Sequence, residues 1–351
     1  MLTDLTLRHF RCFDALACEF APGMNVFAGP NAQGKTSLLE AACVLLRLQS
    51  PRITKLAHAI QHERRGFVLD GHFARRHLQF YFSRERKKLA LDSVEQKTAS
   101  EYLELARLVY FSNTDIELAR GAAEQRRKFL DFVAAQLDAG YRKMLRAYEK
   151  ALRSRNLLLK APRPNWREIA AFDQPLVDAG NYVSEARRKI ALALQPHARE
   201  AQHAISGTVE NLCIEYGRGS GGDFAVALQS SRTEEARLRQ TVVGPHRDDL
   251  VLALNGRGTE FASEGQQRSM ALALKLAQAK LLEERAGAPP LLLLDDIFGE
   301  LDPARRNALL KNLPRGAQQL ITTTHIDWLQ RDQEARIYKL AAGELTKLPG
   351  W

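Results

Sequence analysis

The segment from Gly29 to Thr36 constrains the fold more than any other part of this sequence. It reads Gly-Pro-Asn-Ala-Gln-Gly-Lys-Thr and fits the pattern G-x-x-x-x-G-K-[ST]. The apolar run Met24–Ala28 before it indicates a strand, and the run Ser37–Leu46 after it indicates a buried helix. A strand, this loop and a helix in direct succession are the context in which such a loop binds phosphate. We therefore expect an α/β fold built around a P-loop. Residues 66–82 alternate with a period of two, which predicts an antiparallel hairpin.

The chemistry of a P-loop assigns roles to its residues. Backbone N–H groups and the positive end of the following helix surround the phosphates, while Lys35 reaches the β and γ oxygens. The Thr36 hydroxyl is expected to bind Mg²⁺. ATP and Mg²⁺ are thus the expected ligands. The predicted nucleotide-binding residues in this segment are Gly29, Pro30, Asn31, Ala32, Gln33, Gly34, Lys35, Thr36 and Ser37.

A second apolar run ends in two carboxylates. Leu291–Leu294 has the composition of a fully buried parallel strand, and Asp295 and Asp296 follow it directly. We expect Asp295 to help hold Mg²⁺ through its water shell. Asp296 is the candidate general base that polarises the attacking water, so the predicted catalytic residues include Lys35 and Asp296.

Three further segments resemble parts of ABC-type ATPases. Ser263–Arg268 opens an apolar helix and resembles the S-x-G-Q signature, with Ser263, Gly265 and Gln266 as its binding residues. Asp302 stands where that class has its D-loop, and His325 ends an apolar run as the switch histidine does. In that architecture the signature cannot reach the P-loop of its own chain. We therefore expect two copies to pair head-to-tail across ATP.

The charge is concentrated in one region. The chain has 51 Lys and Arg against 41 Asp and Glu, and residues 120–199 hold 17 against 8. Such an excess favours a polyanionic partner, and we expect DNA. Apolar residues in steps of three and four predict a helix of about 40 residues ending near Pro162. A new helix start is predicted at Asn165, followed by a second helix weakened by Pro175 and Gly180. After residue 207 the glycines of 217–222 predict a turn between two strands. The pair would form a basic antiparallel arm. The candidate phosphate contacts are Arg142, Arg146, Arg153, Arg187 and Arg188, and a mere spacer is the alternative for the arm.

Other classes of protein are disfavoured by the composition. The longest apolar run is far shorter than the roughly 20 residues that a membrane-spanning helix needs, and no secretory signal is visible. We expect a soluble cytoplasmic protein with no membrane partner. The four cysteines are scattered without zinc-binding or disulfide spacing.

Several runs together resemble one family. They are the opening Leu7–Phe13, the P-loop, the arm pattern Tyr148–Leu158, Gly244–Leu250, and Phe261–Ser269. The chain is similar over almost its whole length to the RecF family of DNA replication and repair proteins, bacterial relatives of the SMC-type ATPases.

The resemblance implies an ABC/SMC-like P-loop ATPase head with an inserted short antiparallel coiled-coil arm. It implies weak DNA-stimulated ATPase activity and dimerisation on DNA, single- or double-stranded, at gaps. It also implies work with RecO and RecR in loading RecA, with support of the SOS response. Arg11 in the opening segment is expected to contact the nucleotide. We expect the head in residues 1–117 and 208–351, and the arm in 118–207.

Some features are left open. Ala32 stands where many related ATPases have glycine, and no Q-loop glutamine is evident, with Asn113 and Asp115 near its place. The run His246-Arg247-Asp248-Asp249 has no role that the sequence reveals. The rival functions are a DNA-binding scaffold whose nucleotide site does not turn over and, less favoured because of the arm, the ATPase subunit of a transporter.

Overall fold

The computed structural model describes residues 1–329 and 334–348. The chain forms two compact units, which are described separately. The first consists of Met1–Asp115 and Gln278–Trp351, and the second of Ile116–Ala277. The three-part division expected from the sequence, with boundaries at residues 117 and 207, stays a prediction.

The strands are as follows in chain order: β1 (Leu2–Phe10), β2 (Phe13–Glu19), β3 (Met24–Ala28), β4 (Gly66–Phe73), β5 (Arg76–Ser83), β6 (Lys87–Leu91), β7 (Val94–Glu95), β8 (Leu108–Ser112), β9 (Leu212–Gly217), β10 (Asp249–Leu254), β11 (Arg257–Gly258), β12 (Leu291–Asp295), β13 (Gln319–Thr323), β14 (Ala335–Ala341) and β15 (Glu344–Lys347).

The α-helices are as follows: α1 (Lys35–Arg47), α2 (Ser100–Glu104), α3 (Glu117–Arg120), α4 (Ala123–Leu137), α5 (Tyr141–Leu159), α6 (Trp166–Ala170), α7 (Asp173–Ser206), α8 (Phe224–Ser230), α9 (Arg232–Leu238), α10 (Glu264–Ala286) and α11 (Pro303–Asn312).

The first unit contains two six-stranded sheets. One is antiparallel, in the order β2-β1-β4-β5-β6-β7, and the other has the order β15-β14-β3-β13-β12-β8 with a parallel core. The predicted hairpin over residues 66–82 is confirmed as β4 and β5, whose alternating aromatic residues face the core. Helix α1 contacts strands of both sheets and is buried on nearly every side. This explains the apolar run Leu38–Leu46, which only Glu40 interrupts.

The parallel part of the second sheet brings the carboxyl ends of three strands together. Strands β3, β12 and β13 run parallel, and β12 lies between β13 and β8. Their carboxyl ends therefore meet at one edge, which is where open parallel sheets bind ligands. Strand β12 is buried at every residue, as its apolar composition predicts.

The second unit is a helical body with a small sheet. Helices α5 and α7 pack together, and α7 also packs against β9 of the three-stranded sheet β11-β10-β9. The pairs Arg155–Asp173 and Tyr182–Asp138 show that α5 and α7 are antiparallel, as expected. A core of Tyr148, Leu176 and Phe224 lies among α5, α7 and α8.

Three expectations for this unit were wrong. The single helix of about 40 residues is divided into α4 and α5, because Asp138 is extended and its carboxylate accepts the Gly140 N–H at 2.8 Å. Pro175 and Gly180 do not weaken α7, since Pro175 lies in its first turn and needs no N–H partner there. The glycine run 217–222 does not join two strands directly, because α8 and α9 follow it before β10.

Two details of these helices have local causes. Asn165 caps α6 by accepting the Arg167 N–H at 3.1 Å, which confirms the predicted helix start.

A Cβ at Gly180 would meet the Phe224 ring at 2.5 Å, so glycine there permits the close packing of α8 on α7. Among the described residues, no helix is both long and apolar enough to cross a membrane.

Candidate nucleotide-binding site

The predicted strand, loop and helix are present as β3, residues 29–34 and α1. Two glycines of the loop are required by close packing, because a Cβ at Gly29 would meet the Leu340 carbonyl oxygen at 2.2 Å and one at Gly34 would meet Phe13 at 2.5 Å. Gly34 also has φ +97°, a region that side chains disfavour. Ala32 has φ +64°, so it holds a left-handed conformation without the freedom of glycine.

Lys35 is buried at the start of α1. Its Nζ donates to the carbonyl oxygens of Gly29 at 2.6 Å and Pro30 at 2.8 Å. Burial lowers the pKa of Lys35, while the carboxylates of Asp296 and Asp295 act in the opposite direction. The ammonium is therefore held inside the loop by neutral carbonyls, beside the space that a phosphate would fill.

The carboxylate of Asp295 is the most heavily hydrogen-bonded group of this site. Its Oδ1 accepts from the hydroxyls of Thr36 and Thr322, both at 2.8 Å, and its Oδ2 accepts from the Tyr110 hydroxyl at 2.8 Å. The Thr36 hydroxyl and the Asp295 carboxylate are thus side by side. Both are hard oxygen donors of the kind that Mg²⁺ prefers.

The donor set suits magnesium bound together with phosphates. No group of three or more His, Cys, Asp or Glu residues that could hold a metal ion occurs in the described ranges. Mg²⁺ usually takes only one or two protein oxygens and completes its shell with waters and substrate phosphates. Thr36 and Asp295 meet that requirement without further protein ligands.

Asp296 lies immediately beyond β12 in a left-handed conformation, with φ +51°. Burial raises the pKa of its carboxyl group, Lys35 lowers it, and Asp295 and Glu300 raise it further. The Asp296 carboxylate thus lies near Lys35 and next to Asp295, one of the two candidate magnesium ligands. A carboxylate in such a position can act as the general base for an attacking water.

The remaining predicted residues of the loop region have varied surroundings. Asn31 is exposed, Ser37 is buried in α1, and the Gln33 side chain accepts the Ala342 N–H at 2.6 Å. Arg11 donates to both carboxylate oxygens of Glu40, at 2.9 and 2.7 Å, and to the His58 carbonyl. Its guanidinium is fixed by these bonds, and a contact with nucleotide stays a prediction.

The predicted D-loop and switch residues follow the same sheet edge. Asp302 caps α11 by accepting the Arg305 N–H at 2.9 Å. His325 is exposed two residues after β13, and its carbonyl accepts the Thr323 hydroxyl at 2.7 Å. Both positions suit the expected roles, which stay predictions.

The predicted signature belongs to the second unit. Ser263 and Gln266 form a capping box at the start of α10, in which the Gln266 amide oxygen accepts the Ser263 N–H at 2.9 Å and Ser263 Oγ accepts the Gln266 N–H at 3.3 Å. Gln266 also donates to Glu210 at 2.9 Å. The Ser263 side chain is exposed at this end of the helix, with Gly265 half-buried behind it. The capping role explains the S-x-x-Q spacing by itself.

Of the five candidate phosphate contacts, Arg187 is not available. Its side chain is only 4% exposed, and it donates to Asp131 at 2.8 and 3.1 Å and to the Pro245 carbonyl at 2.7 Å. Its prediction was wrong, because these internal groups occupy its donors. Arg142 is half-buried, and Arg188 donates to both carboxylate oxygens of Glu185. Arg146 and Arg153 are exposed on α5.

The run from His246 to Asp249 is a structural core of the second unit. Buried Asp248 accepts hydrogen bonds from Ser184, Arg187, Tyr216 and the Gly219 N–H. The Asp249 carboxylate accepts from Nε and Nη2 of Arg126, at 2.7 and 2.8 Å. These contacts join α4, α7, β9 and β10, so the motif fastens the unit together.

Sequence reasoning missed three residues around the nucleotide site. They are Tyr110 and Thr322, which contact Asp295, and Asn113, whose side-chain amide donates to the Asp296 carbonyl at 3.1 Å. Asn113 had been noted only for its position. Thr322 lies opposite Asp295 in the β12–β13 pairing and Tyr110 lies opposite Leu293 in the β12–β8 pairing. These pairings join strands that are distant in sequence, so no local pattern signals them.

The two-sheet fold and its P-loop define a head of the ABC/SMC class. The family model for the RecF/RecN/SMC N-terminal domain matches residues 1–344. "DNA replication and repair protein RecF" of Symbiobacterium thermophilum is 35% identical over 97% of both chains. The protein of the same name from Thermosynechococcus vestitus is 36% identical over 99% of this chain and 97% of its own. The chain belongs to the RecF family.

Solved structures agree with this assignment. The "Structure of the recombination mediator protein RecF-ATP in RecFOR pathway" has a TM-score of 0.88 and 30% identity, covering 99% of this chain and 97% of that chain. The "SmcHead bound to the C-winged helix domain of ScpA" has a TM-score of 0.57 at 13% identity, covering 99% of this chain and 97% of that one, and shows a shared fold alone.

Proposed function

We propose that this protein is an ATP-dependent DNA-binding protein of recombinational repair and replication, with weak DNA-stimulated hydrolysis of ATP to ADP and phosphate. The observation that carries the proposal is the meeting of Lys35, Thr36 and Asp295 at the carboxyl ends of β3 and β12. These groups supply the cation, hydroxyl and carboxylate that a Mg²⁺–nucleotide complex needs. A RecF relative whose solved structure is named for its ATP complex supports the choice of nucleotide.

In the proposed reaction, Lys35 leaves the loop carbonyls and binds the β and γ phosphate oxygens. Thr36 and Asp295 would hold Mg²⁺, which neutralises charge on the phosphates. Asp296 accepts a proton from the water whose oxygen attacks the γ-phosphorus, while the bond from that phosphorus to the bridging oxygen of ADP breaks and ADP leaves. His325 contacts the γ-phosphate.

The ATP-bound form is proposed to be a head-to-tail homodimer. Ser263, Gly265 and Gln266 of one copy would bind the γ-phosphate held by the P-loop of the other, with Asp302 nearby. The exposed Ser263 at the first turn of α10 supports this, since a helix N-terminus favours anions. Hydrolysis removes the γ-phosphate that both copies contact, so the dimer dissociates.

Sedimentation of the protein with ATP, with ADP, and with ATP plus a short DNA duplex measures the oligomeric state and so tests the proposed ATP-dependent dimerisation. We expect dimers with ATP, more dimer with DNA, and monomers for Lys35→Met under all three conditions. Lys97→Met, which removes an exposed lysine elsewhere in the first unit, is the matched control and should behave as wild type. A monomer in every condition would contradict the shared site and favour the rival, a DNA-binding scaffold with a non-hydrolysing nucleotide site.

Family membership supports a proposed biological role. The relatives carry the name of a DNA replication and repair protein, and one solved relative is described within the RecFOR pathway. We infer cytoplasmic work at DNA gaps with RecO and RecR, assisting RecA loading and the SOS response. Residues 1–117 and 208–351 would be the ATPase head, with 118–207 as the DNA-contacting arm.

The DNA contact is proposed for one face of α5. Exposed Lys143, Arg146, Lys150 and Arg153 recur at steps of three and four residues, so they line one side of the helix over about 15 Å. Within the described ranges Lys143, Arg146 and Lys150 make no ion pair, and Arg153 reaches Glu149 only at 3.7 Å. We call these four residues the α5 ridge.

Replacing all four ridge residues by Gln should weaken DNA binding at every sequence tested. The slope of log affinity against log salt should fall in magnitude by about 3 to 4, since each duplex phosphate contact contributes about 0.9. The control replaces Lys311, Arg315, Lys339 and Lys347, four exposed basic residues of the first unit, by Gln. If both variants lose the same slope, net charge rather than the α5 ridge carries the binding.

A further inference from the structure

The backbone of Asp296 is held in a conformation that aspartate does not favour. Its φ is +51° and its ψ is 27°, in the left-handed region, although glycine does not occupy the position. Aspartate adopts this conformation more often than most residues do, yet it still costs on the order of 1 kcal/mol, which the surrounding contacts offset. The hydrogen bonds around this peptide therefore decide where the Asp296 carboxylate points.

On one side, Thr322 of β13 holds this residue. The Thr322 hydroxyl accepts the Asp296 N–H at 3.0 Å and donates to Asp295 Oδ1 at 2.8 Å. The backbone carbonyl of Thr322 accepts the same N–H at 3.2 Å. Thr322 is fully buried and lies directly opposite Asp295 in the β12–β13 pairing. The Thr322 hydroxyl thus connects the carboxylate of Asp295, the candidate magnesium ligand, to the backbone of Asp296, the candidate general base.

On the other side, residues of β8 and its end hold the same pair. Asn113, the residue after β8, donates its side-chain amide to the Asp296 carbonyl at 3.1 Å. The buried Tyr110 hydroxyl donates to Asp295 Oδ2 at 2.8 Å. The peptide groups on both sides of the Asp296 Cα are therefore fixed by the two strands that flank β12.

We propose that Thr322 and Asn113 are positioning residues for ATP hydrolysis, which hold Asp296 in its left-handed conformation so that its carboxylate faces the attacking water. The inference rests on the proposed role of Asp296 as the general base. Neither side chain needs to touch the nucleotide, so their removal acts on turnover more than on ATP binding.

The expected magnitude follows from geometry. Misplacing a catalytic group by about 1 Å costs up to about 100-fold in rate. Thr322→Val keeps the shape of the side chain but loses both hydroxyl bonds, and Asn113→Ala loses the bond to the carbonyl. We expect each to lower kcat by about 10- to 100-fold while the Kd for ATP changes by less than about threefold.

Two controls separate positioning from a general loss of structure. Thr322→Ser keeps the hydroxyl and should restore most of kcat. Thr114→Val removes an exposed hydroxyl that is hydrogen-bonded to Ser112 at the end of β8, so this variant should turn over as wild type. Single-turnover hydrolysis and equilibrium binding of a fluorescent ATP analogue measure the two quantities on the full chain.

The decisive comparison uses Asp296→Asn. Thr322 also holds Asp295, whereas the Asn113 amide bonds to the Asp296 carbonyl, so the second change is Asn113→Ala. Adding Asn113→Ala to Asp296→Asn should lower kcat no further. A full multiplicative loss in the double variant would overturn the inference, as would equal losses of binding and turnover in Thr322→Val. If Asp296→Asn itself hydrolyses ATP as wild type does, the proposed general base is wrong. If only Asp296→Asn is impaired, the proposed base stands and the positioning role fails.

Discussion

Two buried polar clusters, one in each unit, differ in how their charges are satisfied. In the nucleotide site, the ammonium of Lys35 contacts only neutral carbonyl oxygens, although two carboxylates lie near. In the second unit, Arg155 donates to both oxygens of Glu235, to Asp173 and to Thr241. The first arrangement can exchange its partners for a ligand, whereas the second is already complete.

The comparison shows that a specific motif and a functional site are different things. The run Gly244–Leu250 is one of those that carry the family resemblance, yet its side chains are hydrogen-bonded to Tyr148, Ser184 and Arg126 within the second unit. The P-loop is equally specific and has groups free to rearrange. Variants in each cluster should therefore separate stability from ligand binding.

Removing Arg155 should have the largest effect. Arg155→Met leaves the fully buried Glu235 without its partner, and breaking a buried ion pair of this kind costs about 3 to 5 kcal/mol. We expect denaturant unfolding to show that loss, while the folded fraction binds ATP as before. Arg153→Met, at an exposed position two residues away, should change stability by less than about 0.5 kcal/mol.

The reciprocal variant sharpens the contrast. Lys35→Met should abolish ATP binding and leave the unfolding midpoint nearly unchanged. If Arg155→Met instead impaired ATP binding with no loss of stability, the two clusters would not differ as described.

The next largest effect is expected from acid, which should destabilise the second unit at His246, a residue that is hydrogen-bonded to Thr241 beside Arg155. His246 accepts the Tyr148 hydroxyl and donates to the Thr241 carbonyl, and its pKa is lowered to about 4 by burial, with Arg247 and Arg127 adding to the effect and Asp248 opposing it. Because the folded-state pKa lies below the ordinary value of 6.5, the stabilisation is present above pH 6.5. It is lost as the pH falls towards 4, by roughly 3 kcal/mol at most.

Urea unfolding at several pH values between 7 and 4 measures this dependence. Acidic side chains also titrate near the lower end, so the informative quantity is the difference between wild type and His246→Gln. The variant should be less stable at pH 7 and lose less on acidification. Parallel curves for the two proteins would contradict the buried neutral histidine.

The smallest expected effect concerns Ala32 in the P-loop. With φ +64°, alanine is strained there, and Ala32→Gly should raise the free energy of unfolding by roughly 0.5 kcal/mol after the added freedom of the unfolded chain is counted. Ala74→Gly, at φ +51° in the β4–β5 turn, should give a similar gain. A loss of stability at Ala32 alone would mean that its methyl group packs usefully in the loop.

Much of the first unit could be predicted from local pattern. The strand before the loop, helix α1, the β4–β5 hairpin and the buried strand before Asp295 were each signalled by a continuous run of residues. In the second unit the same reasoning merged α4 with α5, because the steps of three and four continue across residues 138–140. The extended backbone at Asp138 has no signature in that periodicity.

The side-chain partners were a harder problem. Arg187 lies in a basic segment and reads as a surface cation, but it binds Asp131 and Asp248, which are 56 and 61 residues away. Asn113 and Thr322 are likewise far in sequence from Asp296. No local pattern distinguishes such residues from solvated ones.

The sequence by itself determined the class of fold and the residues that would meet a nucleotide, because a P-loop and a buried strand with terminal carboxylates are contiguous and carry their chemistry in order. The tertiary structure alone decided which charged side chains are paired inside the fold and which are available to bind a ligand. That distinction depends on burial and on pairs formed between distant strands and helices. For Asp296 it depends on Thr322 of β13 and Asn113 after β8, which hold the peptide groups on both sides of its Cα.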